Sequence, residues 1–193
     1  DNLNVLISTI DNYPPVGICG SGILDCIAEM LRAKIINSSG KIIKGKKGVR
    51  KGSNGKLEYI LTKKGLGEER KHISVTQKDI REIQLAKGAI RAGIDILLRI
   101  AKLGLKDIDQ IILAGAFGTY LDILSSIEIG MFPNIPINRF HQIGNAAGIG
   151  AKQVLISKKI RKKVKELLKD IEYIELTTYP DFVKYFSNAM RFC

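Results

Sequence analysis

The chain has 193 residues, 45% of them hydrophobic and 26% charged, which is enough to bury one core, or two small lobes sharing one, and excludes a disordered tail or a disulfide miniprotein. No apolar run approaches the ~20 residues of a membrane-spanning helix. The net charge of +12, from 31 Lys and Arg against 19 Asp and Glu, raises an anionic partner such as nucleic acid. Its distribution weakens that idea, because eleven cations and only three carboxylates fall between Lys41 and Lys71, with Tyr59 as the single aromatic. Without a series of rings on which bases can stack, a solvated basic hairpin is the expectation, with neither nucleic acid nor membrane as a partner. Cys19, Cys26 and Cys193 form no CxxC pair, which argues against a disulfide framework and for a reducing, cytoplasmic setting. The start has neither the basic nor the apolar region of a secretory leader and opens on Asp1, so the chain reads as an excerpt or a processed product.

In chain order, Tyr13-Pro14-Pro15 is followed by a glycine-rich loop, Gly17 to Gly22, running into Ile23, Ile27, Met30 and Leu31, whose spacing predicts a helix ending near Lys34. Asn37-Ser38-Ser39-Gly40 is a turn cluster. Alternation of Leu57, Tyr59 and Leu61 then predicts a hairpin strand. Thr76 and Asp79 resemble a capping box with Asp in place of Glu. From there Ile80, Ile83, Ile90, Ile94, Leu97 and Ala101 keep one helical face to about Lys102, a helix of roughly 40 Å that Gly104 stops. Ile111 to Ala114 reads as a strand buried on both faces. Ile123 to Ile129 is a short helix, Phe140 to Ile143 a strand, and Ile160, Val164, Leu167 and Leu168 mark an amphipathic helix. Tyr173 to Leu176 is expected as a strand and Pro180 to Met190 as a closing helix. Alternating strands and helices predict an α/β class with a partly parallel sheet.

Three glycine loops, Gly20-Ser21-Gly22, Gly115-Ala116-Phe117-Gly118 and Gly144-Asn145-Ala146-Ala147-Gly148-Ile149-Gly150, each join an apolar segment to a helix. A helix N-terminus offers unpaired N–H groups, and glycine lets a phosphate or flat ring approach the backbone. Tight turns use glycine as readily, so it is the recurrence that points to a nucleotide cleft at the carboxyl ends of strands. Gly40 to Lys47 imitates a P-loop, but Lys47 stands where a hydroxyl should hold magnesium and no buried strand precedes it. Ser21 is in no nucleophile elbow, since Cys19 replaces its first glycine and His72 and His141 are isolated. The same two histidines and three scattered cysteines have no metal-ligand spacing. Cys19 and Cys26 read as small core residues. On the long helix Gln84, Lys87, Gly88 and Arg91 share one side at spacings of three and four. A solvated face is the ordinary reading of such a stripe, yet a helix-weakening Gly88 within it hints at close approach by something.

Four blocks in order, Gly17 to Asp25, Thr76 to Ile90, Leu113 to Gly118 and Gly144 to Gly148, resemble the carboxyl-terminal domain of the reductive activators of corrinoid proteins. Those are iron–sulfur ATPases of the acetate and sugar kinase, heat-shock chaperone and actin superfamily. The resemblance covers Gly17 to Phe192. It implies a ribonuclease-H-like (actin-like ATPase) lobe, α/β with a mixed sheet flanked by helices. Residues 1–193 would form the second lobe, with 41–71 a basic hairpin insertion and the first lobe and iron–sulfur domain elsewhere. Leu113 to Gly118 would be the adenosine loop, with Gly115, Ala116, Phe117 and Gly118 as its binding residues. Gln84, Lys87 and Arg91 would lie toward ribose and base and Gly20, Ser21 and Gly22 near the phosphates, with Gly88, Gly144, Asn145 and Gly148 also expected to bind the nucleotide. Thr119 departs from the Asn expected after the adenosine glycines, and the hairpin is longer and more charged than the family pattern.

The implied function is ATP-coupled reduction of a methyltransferase system's corrinoid from cob(II)alamin to cob(I)alamin. The implied cofactors are ATP, Mg2+ held mainly by the other lobe and an iron–sulfur cluster in an amino-terminal domain. The corrinoid protein is the partner, and a homodimer is admitted. No catalytic residue is assigned, and the isolated lobe is expected to be inactive. Two alternatives stand beside this: an ATPase like a 2-hydroxyacyl-CoA dehydratase activator or a sugar kinase, and a docking module whose basic hairpin grips an acidic protein while its nucleotide site is vestigial.

Overall fold

The computed structural model describes residues 5–62 and 72–193. Helix α1 (Gly20–Arg32) starts where Cys19 takes an extended conformation and its Sγ accepts the Gly22 N–H at 3.3 Å. Leu24, Ile27, Ala28 and Met30 form its buried stripe, as the sequence spacing requires. Beyond it, Ile36 and Ile42 bridge across the Asn37 to Gly40 turn, both of them buried.

The hairpin is present as β1 (Val49–Lys51) and β2 (Leu57–Thr62), antiparallel with Val49 opposite Tyr59. A third strand, β3 (Ile73–Thr76), pairs antiparallel on the other side of β2. Tyr59 is only 6% exposed, so the one ring of the basic segment belongs to the core. Glu58, also buried, is satisfied by Arg50 Nε at 2.7 Å and Ser74 Oγ at 3.0 Å. These partners hold its carboxyl below the usual range although burial opposes them. The part of the hairpin insertion at 63–71 lies outside the described residues.

Helix α2 (Gln77–Ala101) carries the expected capping box: Thr76 Oγ1 accepts from the Asp79 N–H, and Asp79 Oδ2 accepts from the Thr76 N–H at 2.8 Å. It ends three residues before Gly104, the glycine that the sequence marks as its stop. Lys102 adopts the left-handed conformation, φ 56°, and the Leu103 N–H closes back on Leu98 O at 2.9 Å.

Strand β4 (Ile111–Leu113) leads into the single turn α3 (Ala116–Thr119) and helix α4 (Ile123–Glu128), and β5 (Phe140–Gln142) returns parallel to β4 with Ile112 opposite His141. Helices α5 (Ala146–Ile156), α6 (Lys158–Leu167) and α7 (Phe182–Ala189) complete the chain. The core joins α1, the hairpin sheet, α2 and the segment after α4 through Ile27, Val75, Ile80 and Ile129, and the Arg32–Glu128 ion pair ties α1 to α4.

Four expectations are corrected. The strands form two sheets among the described residues, one three-stranded and antiparallel and one two-stranded and parallel. Strand β4 is not buried on both faces, since Ile112 is 56% exposed; an apolar run records affinity for cover but not which face receives it. Tyr173 to Leu176 is not a strand: it pairs with no strand among the described residues and leads into a 3-10 turn at Leu176–Thr178, with Leu176 lying against Gly93 of α2. Cys19 is an exposed cap rather than a core residue, whereas Cys26 is half-buried and burial pushes its thiol up to about 12.

Candidate functional site

Because β4 and β5 are parallel, their carboxyl ends lie on one edge, and the turns that follow them meet there. The Gly115 N–H donates to Gly144 O at 2.7 Å, and the Ile143 N–H donates to Leu113 O at 3.0 Å. Gly115 has φ 93° and ψ 164°, a region essentially restricted to glycine. Nothing lies within 4 Å of the position a Cβ would take there, so the backbone of this turn is open to approach. Asn145 caps α5, its Oδ1 accepting the Gly148 N–H at 2.9 Å, which places Gly148 in the first turn of a helix rather than in a loop.

The third turn adjoins the first two. A Cβ on Gly20 would lie 3.2 Å from Cε2 of Phe117, so the first turn of α1, with Ser21 and Gly22, abuts the Gly115-Ala116-Phe117-Gly118 turn. Phe117 itself remains 51% exposed. Thr119, the departure from the family pattern, turns its hydroxyl back to Gly115 O at 3.0 Å.

One organising residue escaped the sequence reading. Gln142, the last residue of β5, donates Nε2 to Gly118 O at 2.6 Å and Leu121 O at 2.9 Å, so a single amide fixes the exit of the Gly115 turn. The available signal was an amide at the end of a short strand, two residues before Gly144.

The α2 stripe has a different surrounding. Gln84 Nε2 donates to Ser39 O at 3.2 Å and Met190 O at 3.1 Å. Lys87, 1% exposed, donates Nζ to Arg191 O and lies 5.1 Å from the centroid of Phe192. Gly88 faces Met190, whose backbone N would be 3.3 Å from an added Cβ. Arg91 pairs with Asp95 at 2.9 Å and donates to Phe132 O at 3.3 Å. These four residues, all expected at the nucleotide, have their hydrogen bonds and close contacts with protein, chiefly the segment after α7. The close approach that Gly88 announced is made by the chain's own end.

Burial pushes the Lys87 ammonium down to about 8, with the charge of Cys193 opposing and that of Arg91 adding. The unfolded chain, at about 10.4, holds its proton longer, so between these pH values unfolding takes up a proton and the native state gains stability as pH rises. The Lys87→Met variant keeps the volume without the charge. Its thermal stability is expected to match or exceed the parent's at pH 7, and the difference to move by about 3 kcal/mol in the parent's favour by pH 10.4. Parallel stability curves across pH 7 to 10.4 would contradict the buried-cation account.

A largely apolar groove of about 580 Å³ runs on the hairpin side of α1, lined by Val5 to Thr9, Cys19, Gly22, Asp25, Met30, Tyr59 and Leu61 among others. It touches the α1 turn but not the Gly115 or Gly144 turns. Asp25 Oδ1 is buried without a hydrogen-bond partner among the described residues, and burial, with Asp122 adding, holds its carboxyl above the usual range. No cluster of three or more His, Cys, Asp or Glu that could hold a metal is found among the described residues, and no helix among them is long and apolar enough to cross a membrane.

Comparison with known proteins agrees with this architecture. Corrinoid activation enzyme RamQ of Eubacterium limosum is 36% identical over 199 residues, covering 98% of this chain and 34% of that protein. The Co(II) methylated amine-specific corrinoid protein reductase of Methanosarcina barkeri is 27% identical over 176 residues, covering 90% and 29%. A solved structure described as a reductive activator for corrinoid, iron-sulfur protein superposes with a TM-score of 0.85 at 40% identity, covering 95% of this chain and 30% of that one. The chain thus spans about a third of the length of the curated relatives it matches. A family model described as the C-terminal domain of RACo, the ASKHA domain, matches residues 1–193, and with an α/β architecture whose sheets are flanked by helices, the chain belongs to that family of actin-like ATPase domains.

Proposed function

We propose that this chain is the ATP-binding lobe of a longer protein that reduces the corrinoid of a methyltransferase system from cob(II)alamin to cob(I)alamin. The nucleotide part of this reading is carried by the Gly115–Gly144 hydrogen bond, which brings two glycine turns together at the carboxyl edge of parallel strands, where open α/β sheets place their ligands. The residues fit a nucleotide: Gly115 leaves its backbone uncovered, Phe117 is half exposed, and Gly20, Ser21 and Gly22 stand at the N-terminus of α1. Gly118, Ala116, Gly144, Asn145 and Gly148 shape the same edge. Bound ATP would supply the free energy that distinguishes open from closed lobes, and only unequal affinity for the two states can do so. Magnesium ligands and an iron–sulfur donor are assigned to the remaining two thirds of the parent, and a cytoplasmic location and a homodimer complete the reading.

The reduction consumes one electron per cob(II)alamin, delivered by the iron–sulfur donor. Under anaerobic conditions the full-length protein is expected to convert corrinoid-protein-bound cob(II)alamin to cob(I)alamin, read by absorbance, several-fold faster with ATP than without. Equal yields with and without ATP would remove the coupling.

A further inference from the structure

Helix α6 carries Lys158, Lys159, Arg161, Lys162, Lys163 and Lys165 in ten residues, against Glu166 alone. Two physical arguments show that this pattern does not serve the helix. Lys158 and Lys159 occupy its first turn, which has no acidic residue, and so sit at the positive end of the backbone dipole. Lys158 with Lys162, Lys159 with Lys163 and Arg161 with Lys165 are like charges four apart, a repulsive spacing on a helix. Arg161 has a local task, donating to Val154 O and Leu155 O at the end of α5. The five lysines are exposed and make no ion pair among the described residues.

We propose that the outward face of α6 is a docking surface for an acidic patch on the corrinoid protein, which rests on the functional reading above and names where that partner is held. The charge of the face sets the charge of its occupant. Ile160 and Val164 are turned inward and half-buried, so the lysines make up the outward face, with Leu167 and Leu168 exposed at the end of the helix. The occupant is a protein because the functional reading supplies the corrinoid protein as partner, and lipid is an outcome of the test. Nucleic acid is disfavoured because α6 has no aromatic residue to stack on bases. This adds α6 as a site for the electrostatic grip beside the hairpin insertion that the sequence offered as an alternative.

The test uses the full-length protein carrying Lys158→Glu, Lys162→Glu and Lys165→Glu, with a milder variant bearing Gln at the same three positions. The expected result is a Kd for the purified corrinoid protein at least tenfold weaker at 50 mM NaCl, with a flatter dependence of log Kd on log salt. KM for the corrinoid protein should rise at unchanged kcat, and basal ATP hydrolysis should stay the same. Unchanged Kd and salt slope in both variants, while the parent still binds and reduces the corrinoid protein, overturns the docking surface alone. Loss of basal hydrolysis in both variants overturns it by assigning α6 to contacts within its own chain. Weakened binding confined to phosphatidylserine vesicles or to duplex DNA overturns it in favour of those partners. A parent protein that neither binds nor reduces the corrinoid protein removes both readings.

Discussion

The Gly115→Ala variant of the full-length protein is expected to bind ATP at least tenfold more weakly than the parent. The position has φ 93° and ψ 164° with nothing within 4 Å of an added Cβ, so the methyl group meets no neighbour and acts only through the backbone. Holding a non-glycine residue there costs about 1–3 kcal/mol, enough to make the turn relax and release the Gly115–Gly144 hydrogen bond, and about 1.4 kcal/mol already corresponds to tenfold in affinity. Gly45 supplies the control, since its φ is 84° and its Cβ position is equally open, but it lies in the hairpin segment. Gly45→Ala should lower stability comparably and leave nucleotide affinity intact. Titration with a fluorescent ATP analogue decides between them, and equal affinity in the Gly115→Ala variant and the parent would remove Gly115 from the site.

A second large effect is expected at Gly88. Its Cβ position lies 3.2 Å from Met190 Cγ and 3.3 Å from Met190 N, so alanine there sets a helix-propensity gain of about 1 kcal/mol against a tight contact, and little net change follows. Leucine has no such balance. Gly88→Leu must displace the backbone after α7, along with the Gln84 and Lys87 hydrogen bonds to Met190 O and Arg191 O. The expected cost is about 3 kcal/mol, a Tm lowered by roughly 6–12 °C for a chain of this size, and faster proteolysis near Arg191. A Gly88→Leu protein that melts with the parent would show that the terminal segment is not held by α2.

The two glycine positions also separate what was readable in the chain from what was not. Gly88 signalled close approach through its poor helix propensity inside an otherwise good helix, but nothing local distinguished a ligand from Met190. Gly115 stood beside an apolar strand, and its resemblance to an adenosine loop named it, yet the turn it needed to meet is 29 residues away at Gly144. Gln142 went unassigned because an amide at a strand end has no characteristic spacing; its role exists only where the carbonyls of Gly118 and Leu121 come within reach. The strand expected at Tyr173 to Leu176 fails for a related reason: Leu176 is covered by α2 at Gly93 and not by another strand.

By itself the sequence determined the elements whose causes are local: the capping box of α2, the buried stripe of α1, the alternation of β2, and the glycines where backbone must turn. These follow from propensity and from periodicity within one segment, so neighbouring residues suffice. Only the tertiary structure decided that β4 and β5 run parallel, bringing Gly115 and Gly144 to one edge, and that the polar side of α2 is covered by the chain's own end. Those outcomes depend on which surfaces find one another across long stretches of chain, where the same apolar or polar pattern is compatible with several partners and burial selects among them.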